Sequence, residues 1–172
     1  MNDLILPRRS RSKKRLRATT RSQVVGVIRE AGIEVSRFET GNFLTDLGEA
    51  HIADRLSDAG TSAMSHMAIG TGSGQDNTDT TLDTEIARVA LDATYPKQGT
   101  GATDAILNRV VRDNEVLYRA TFAAGTGTGT ITELGILNAA SVGVLLNYAT
   151  TNQPKSASQE LILVVALTIG SS

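Results

Sequence analysis

The chain has no cysteine and no tryptophan, and only three phenylalanines and three tyrosines among 172 residues. Without cysteine there are no disulfides, no thiolate metal sites and no cysteine nucleophile, and the redox compartment stays undetermined. The scarcity of aromatics moves the burden of burial onto Val, Leu, Ile and Ala. Such a core releases less free energy per residue, because each aromatic buries a large area. Subunit association would compensate. Long hydrophobic runs are missing too: the longest, Leu161 to Ile169, is too short to span a bilayer as a helix. Near the start, charge follows a small apolar patch, Leu4-Ile5-Leu6-Pro7 and then Arg8, the reverse of a secretory signal. The Arg- and Ser-rich composition there matches an organelle transit peptide but lacks the apolar face of an amphipathic helix.

Hydrophobic content of 40% and a net charge of −1 place the chain among globular proteins, with room for one core plus an appendage. That near-neutral charge conceals an asymmetry. Arg8, Arg9, Arg11, Lys13, Lys14, Arg15, Arg17 and Arg21 fall in a stretch with no acid, and the remainder of the chain is correspondingly acidic. Like charges this close repel, so the stretch reads as an extended basic arm over residues 1–22. Three roles are open to it: a solvated tail, an anchor on an acidic protein surface (including another copy), or a nucleic-acid contact. For the last it has charge but no aromatic for base stacking.

The stretch Met64 to Gly74, M-S-H-M-A-I-G-T-G-S-G, invites a phosphate-loop reading. Its neighbours refuse it. A phosphate loop needs Lys and Ser or Thr directly after its last glycine, whereas Gly74 is followed by Gln75 and Asp76. The dinucleotide fingerprint needs a glycine at position 75, which is Gln. In the acidic loop Asp76 to Glu85, alternate positions Asp79, Thr81, Asp83 and Glu85 resemble calcium-loop spacing. The sharp-turn glycine is Thr84, however, and the bidentate acid is Ala90, so an exposed loop of Asx turns with a local Glu85–Arg88 pair is expected. His51 and His66 have no ligating neighbours at metal spacing; His51 is expected on a helix surface, and His66 in the core or an interface. No cofactor, metal or catalytic residue is expected.

Residues 23–43 read as short strands and a connection, broken at Glu30-Ala31-Gly32, and 44–172 as a β-rich assembly domain. Thr45 is positioned to cap a helix with Asp46 and Glu49 in its first turn and Gly60 beyond its end. Leu44, Gly48, Ile52, Leu56 and Ala59 recur at the spacing of one buried face, with Gly48 permitting close approach of a strand. Ser65 to Ile69 alternates. Ile106 to Phe122 reads as a hairpin turning at Asp113-Asn114, with R-V-V-R against E-V-L-Y-R-A-T-F. After the small-residue connection Ala123 to Thr130 come strands Ile131 to Leu137, Gly143 to Thr150 and Glu160 to Ile169, the last apolar enough to be covered on both faces. One helix among about seven strands predicts a mainly β (α+β) fold, a compact β-sandwich or open barrel with one packed helix.

Several segments together resemble the N-terminal domain of phage tail-collar and tail fibre proteins. They are L-T-D-L-G-E-A at 44–50, S-H-M-A-I-G-T-G-S-G at 65–74, T-x-L-x-x-E-x-x-R at 80–88, I-T-E-L-G-I-L at 131–137, V-G-V-L-L at 142–146 and P-K at 154–155. The order and approximate spacing agree over residues 44–170. The resemblance implies a non-enzymatic virion module, trimeric in many fibres, that attaches a fibre to tail or baseplate. Its implied partners are copies of itself and other phage virion proteins of tail, neck or capsid. Similar Gly-Thr-rich modules also look like small proteins that decorate phage heads. The resemblance further implies a repetitive shaft and a receptor-binding tip beyond such a domain, and the chain departs from the fibre pattern in its basic arm.

Overall fold

The computed structural model describes residues 21–170. The arm residues Arg8, Arg9, Arg11, Lys13, Lys14, Arg15 and Arg17 lie outside the described residues, and Arg21 enters through its backbone alone. The described chain is mainly β, 51% strand against 7% helix, with the sheet curled into a half-barrel. The expected open barrel with a packed helix is therefore the form adopted.

The elements run β1 (Arg21–Glu30), β2 (Ile33–Leu44), α1 (Asp46–Leu56), β3 (His66–Gly70), β4 (Glu85–Ala90), β5 (Lys97–Gln98), β6 (Thr103–Asp104), β7 (Arg109–Val110), β8 (Glu115–Phe122), β9 (Gly129–Leu137), β10 (Leu145–Lys155) and β11 (Gln159–Thr168). Nine strands form one antiparallel sheet in the order β4-β3-β9-β10-β2-β1-β11-β8-β5, and β6 pairs with β7 as a separate ribbon. Eleven strands among the described residues replace the roughly seven expected. The segment read as short strands and a connection is two long strands, joined by an Ala31-Gly32 turn. Both turn residues have positive φ, the two-residue geometry whose twist matches that of paired strands.

The sheet buries both faces. Inside the curl, Val24, Phe122, Leu134, Ile136, Leu161, Leu163 and Val165 share one core. Outside it, Val25, Val27, Ile162 and Val164 are covered by Ile106, Leu107 and Val111 from the excursion between β5 and β8. On the other outer flank, Ala68, Leu137, Leu145 and Tyr148 are covered by Leu82 from the loop after β3. This double burial explains why β11 is apolar at nearly every position, as its sequence predicted. It also removes the expected alternation in β3, where Met67, Ala68, Ile69 and Gly70 are all buried.

The Ile106–Phe122 hairpin is corrected. A turn does lie at 113–114, with the Glu115 amide donating to the Arg112 carbonyl at 3.1 Å. The two arms do not pair, however: β7 pairs with β6, and β8 pairs with β11 and β5. R-V-V-R is used instead as a cover, with Val111 pointing into the outer core.

The half-barrel is clasped at its seam by Asp92. Its amide donates to the Arg119 carbonyl of β8 at 2.8 Å, and its carboxylate meets Arg119 at 2.9 Å and accepts from Thr121 Oγ1 at 2.9 Å. At the opposite side the two leaves of the sheet join narrowly. Strand β2 is twelve residues long, yet it pairs with β10 only over Asn42–Leu44. The other margin of Ile33–Gly41 has no ladder partner among the described residues, and Ile33 and Val35 on it are 70% and 50% exposed.

Candidate functional site: a carboxylate wrapped by the glycine loop

Glu133 sits in the middle of β9 and is 0% exposed. A charge placed there must be compensated locally, because burying it unpaired is expensive. Five donors compensate it. Oε1 accepts the Gly72 amide at 2.9 Å and the Thr84 amide at 2.7 Å. Oε2 accepts the Asp83 amide at 2.9 Å, Gln75 Nε2 at 2.7 Å and the Tyr148 hydroxyl at 3.2 Å. Burial and the adjoining Glu133 carboxylate both push the Tyr148 phenol far above its ordinary range, which keeps its proton in place to donate.

The glycines follow from this arrangement. Gly70 stands opposite Glu133 in the β3–β9 register, and a Cβ there would fall on the carboxylate. At Gly72 a Cβ would come within 2.6 Å of both Glu133 Oε1 and the Asp83 Cβ. Converging backbone N–H groups make an anion nest of the kind that holds phosphates elsewhere. Here the anion is the chain's own side chain. The Gly72, Asp83 and Thr84 amides are thereby engaged within the chain.

The other segments singled out in the sequence join the same structure. Thr45 caps α1, accepting the Gly48 amide at 2.9 Å while its hydroxyl donates to the Leu145 carbonyl. Gly48 lies against the Leu146 carbonyl, where any side chain would collide, so the expected close approach of a strand is met by β10. The acidic loop is tied to the helix start, with the Asp46 amide donating to the Asn77 carbonyl and Asn77 Nδ2 to Asp46, both at 2.7 Å. Segments 44–50, 65–74, 80–88, 131–137 and 142–146 therefore form one contiguous body. In 154–155, Lys155 is buried with its ammonium 3.3 Å from the Ala123 carbonyl.

Within the acidic loop the carboxylates serve turns. Asp76 accepts from the Thr78 amide and hydroxyl at 2.7 and 2.6 Å, and Asp79 accepts the Asp76 amide at 2.7 Å. Glu85 pairs with Arg88 at 2.6 Å, as expected. His66 is half-buried with Nδ1 2.8 Å from Ser65 Oγ. Two helix expectations need correcting. His51, expected on the surface, is 5% exposed, and burial followed by the Arg55 charge lowers its pKa. Leu56, expected on the buried face, is 79% exposed, and Ala59 is exposed beyond the helix end. Leu44, Gly48 and Ile52 of the expected face do pack inward, with His51 beside them, and the face fails only at Leu56 and Ala59, at and beyond the helix end.

A second buried glutamate, missed in the sequence, lies on the opposite leaf. Glu115 at the start of β8 is 3% exposed and takes Arg109 through two hydrogen bonds of 2.8 and 2.9 Å. It also accepts the Arg112 amide at 2.7 Å and the Thr168 hydroxyl at 3.2 Å. The Arg109 guanidinium, ahead of the other contacts, holds the Glu115 carboxyl below its ordinary pKa. Its sequence signal was only the six-residue spacing of Arg109 and Glu115 across a turn. Comparison of the chain with protein-family models, curated proteins and solved structures gave no match in any of the three.

Proposed function

We propose that this chain is a non-enzymatic structural protein of a phage virion, a self-assembling adaptor or fibre-attachment module of the tail, collar or baseplate. The observation that carries the self-assembly part is the margin of β2. A strand edge with unengaged N–H and C=O groups is a template for another chain. Here it runs along Ile33–Gly41 beside exposed Ile33 and Val35. A core poor in aromatics adds a motive for association, since subunit burial supplements what the fold alone supplies.

The phage assignment is supported by the ordered segments that carry the resemblance. They are used together around Glu133 and the α1–β10 contact, as a module kept for its framework would use them. The anion nest is occupied from within, so the glycine loop serves shape and not a phosphate.

Analytical ultracentrifugation of the full chain over a wide concentration range, followed by rebinding to phage particles lacking it, tests the proposal. Concentration-dependent oligomers that restore binding are expected. A chain that stays monomeric throughout and does not bind such particles would overturn it. Val35→Lys is expected to weaken association while leaving stability within about 0.5 kcal/mol, because lysine on a strand margin repels edge pairing. Unchanged association in that variant would remove β2 from the interface.

A further inference from the structure

One groove of the described molecule is largely apolar, with a single charged residue, Arg55, in its lining. It lies between α1 and the end of the inner core, has a volume of about 270 Å3, and is walled by Ile52, Leu56, Met64, Tyr118, Leu167 and Ile169. Small-molecule sites usually run to about 300–1,000 Å3. His51 also lines the groove, and its Nδ1 meets no hydrogen-bond partner among the described residues. The aliphatic side chains of a peptide segment match such a lining.

Where the chain enters the fold bears on which peptide. Arg21 pairs with Thr168, which lies between Leu167 and Ile169 of the groove wall. The sequence before Arg21 holds one aliphatic triplet, Leu4-Ile5-Leu6, and seven of the fourteen residues that separate the two are Arg or Lys. Fourteen extended residues span about 46–50 Å, and charge this dense favours extension. That is long enough for the triplet to reach the groove of a neighbouring copy. Arg55 lines the groove itself, but the helix and the segments flanking it in sequence carry the opposite sign. From Gly41 to Ala87 the chain carries eight carboxylates and a single cation, Arg55. The helix that walls the groove bears Asp46, Glu49 and Asp54 among them.

We infer that Leu4-Ile5-Leu6 of a neighbouring copy fills this groove, while the Arg/Lys run lies along the carboxylates of α1. This deepens the self-assembly reading above and rests on it. Occupancy is reciprocal: each copy gives one triplet and receives one.

The absence of native cysteine makes a clean test. One full-length protein carries Ile5→Cys, a second of distinguishable size carries Leu56→Cys, and the two are mixed and oxidised. A disulfide-linked heterodimer is expected, enriched at least tenfold over the same mixture at high salt. Leu4→Ser, Ile5→Ser and Leu6→Ser introduced together are expected to raise the self-association Kd at least tenfold, with the unfolding midpoint of the domain unchanged. A chain that associates without forming the 5–56 link overturns the groove assignment and leaves self-assembly standing. The double variant, Ile5→Cys with Leu56→Cys, yielding only an intramolecular link also overturns it. A chain that never associates overturns both readings together.

Discussion

The two leaves of the half-barrel solve the same problem with different chemistry. Each has an apolar outer face, each covers that face with a long excursion, and each pins the excursion with a buried glutamate. On the β3–β9–β10 leaf the pin is Glu133, held by three backbone amides, Gln75 and Tyr148, with no cation in contact among the described residues. On the β1–β11–β8 leaf it is Glu115, held chiefly by Arg109. An amide cage demands that the loop come close, and glycine is what permits that approach. A guanidinium reaches from a distance and imposes nothing comparable on the backbone. The first solution therefore leaves a mark in the sequence, and the second leaves almost none.

The comparison is broken most forcefully at Glu133. In Glu133→Gln the new amide group faces backbone N–H groups it cannot accept from, leaving buried donors unsatisfied at about 1–3 kcal/mol each. A loss of about 3–5 kcal/mol is expected by denaturant titration, and a loss below 1 kcal/mol would mean that the cage does not hold the loop. Gly72→Ala attacks the same cage from the other side. Overpacking against Glu133 and Asp83 is expected to cost about 1–3 kcal/mol, with proteolysis between residues 71 and 84 as a local readout.

Glu115→Gln is expected to cost about 1–3 kcal/mol, since the Arg112 and Thr168 bonds partly survive. Arg109 is 32% exposed, so this cost should shrink as salt rises, while the Glu133→Gln cost should not. Equal salt responses would erase the distinction between the leaves. The pH dependence follows from the lowered pKa of Glu115. Its contribution is complete above the unfolded carboxyl value near 4.5 and is lost as pH falls through the lower folded value. Glu115→Gln should therefore flatten the acid limb of a stability–pH curve. His51 gives the smallest effect and acts higher. Its folded pKa is also lowered, so the unfolded chain takes the proton first, and stability declines as pH drops below about 6.5. His51→Leu should remove that slope, measured as melting temperature between pH 7 and 5.

Legibility in the sequence followed the same divide. The helix start was readable because Thr45, Asp46 and Glu49 act on their own neighbours, and β9, β10 and β11 because apolar runs are local facts. The burial of His51 and the exposure of Leu56 were not, since they depend on how far along α1 the distant strand β10 and the core extend. R-V-V-R misled for a related reason. Its β-branched residues fit a ladder and a cover equally well, and only the partner decides. Around Glu133 the glycines and the glutamate were each visible, but nothing in the sequence links residue 72 to residue 133. The basic arm stands apart, its residues Arg8 to Arg17 lying outside the described structure.

The margin of β2 has a consequence for any array the chain builds. A strand runs from amino to carboxyl end, so whatever lies alongside must do so parallel or antiparallel, offset by whole residue pairs. Two copies meeting antiparallel along this same margin would make a two-fold contact that closes on itself, whereas pairing with a different segment of the neighbour would carry the contact onward in one direction. Only the second arrangement gives an array a head and a foot before any other component tells it which way to point.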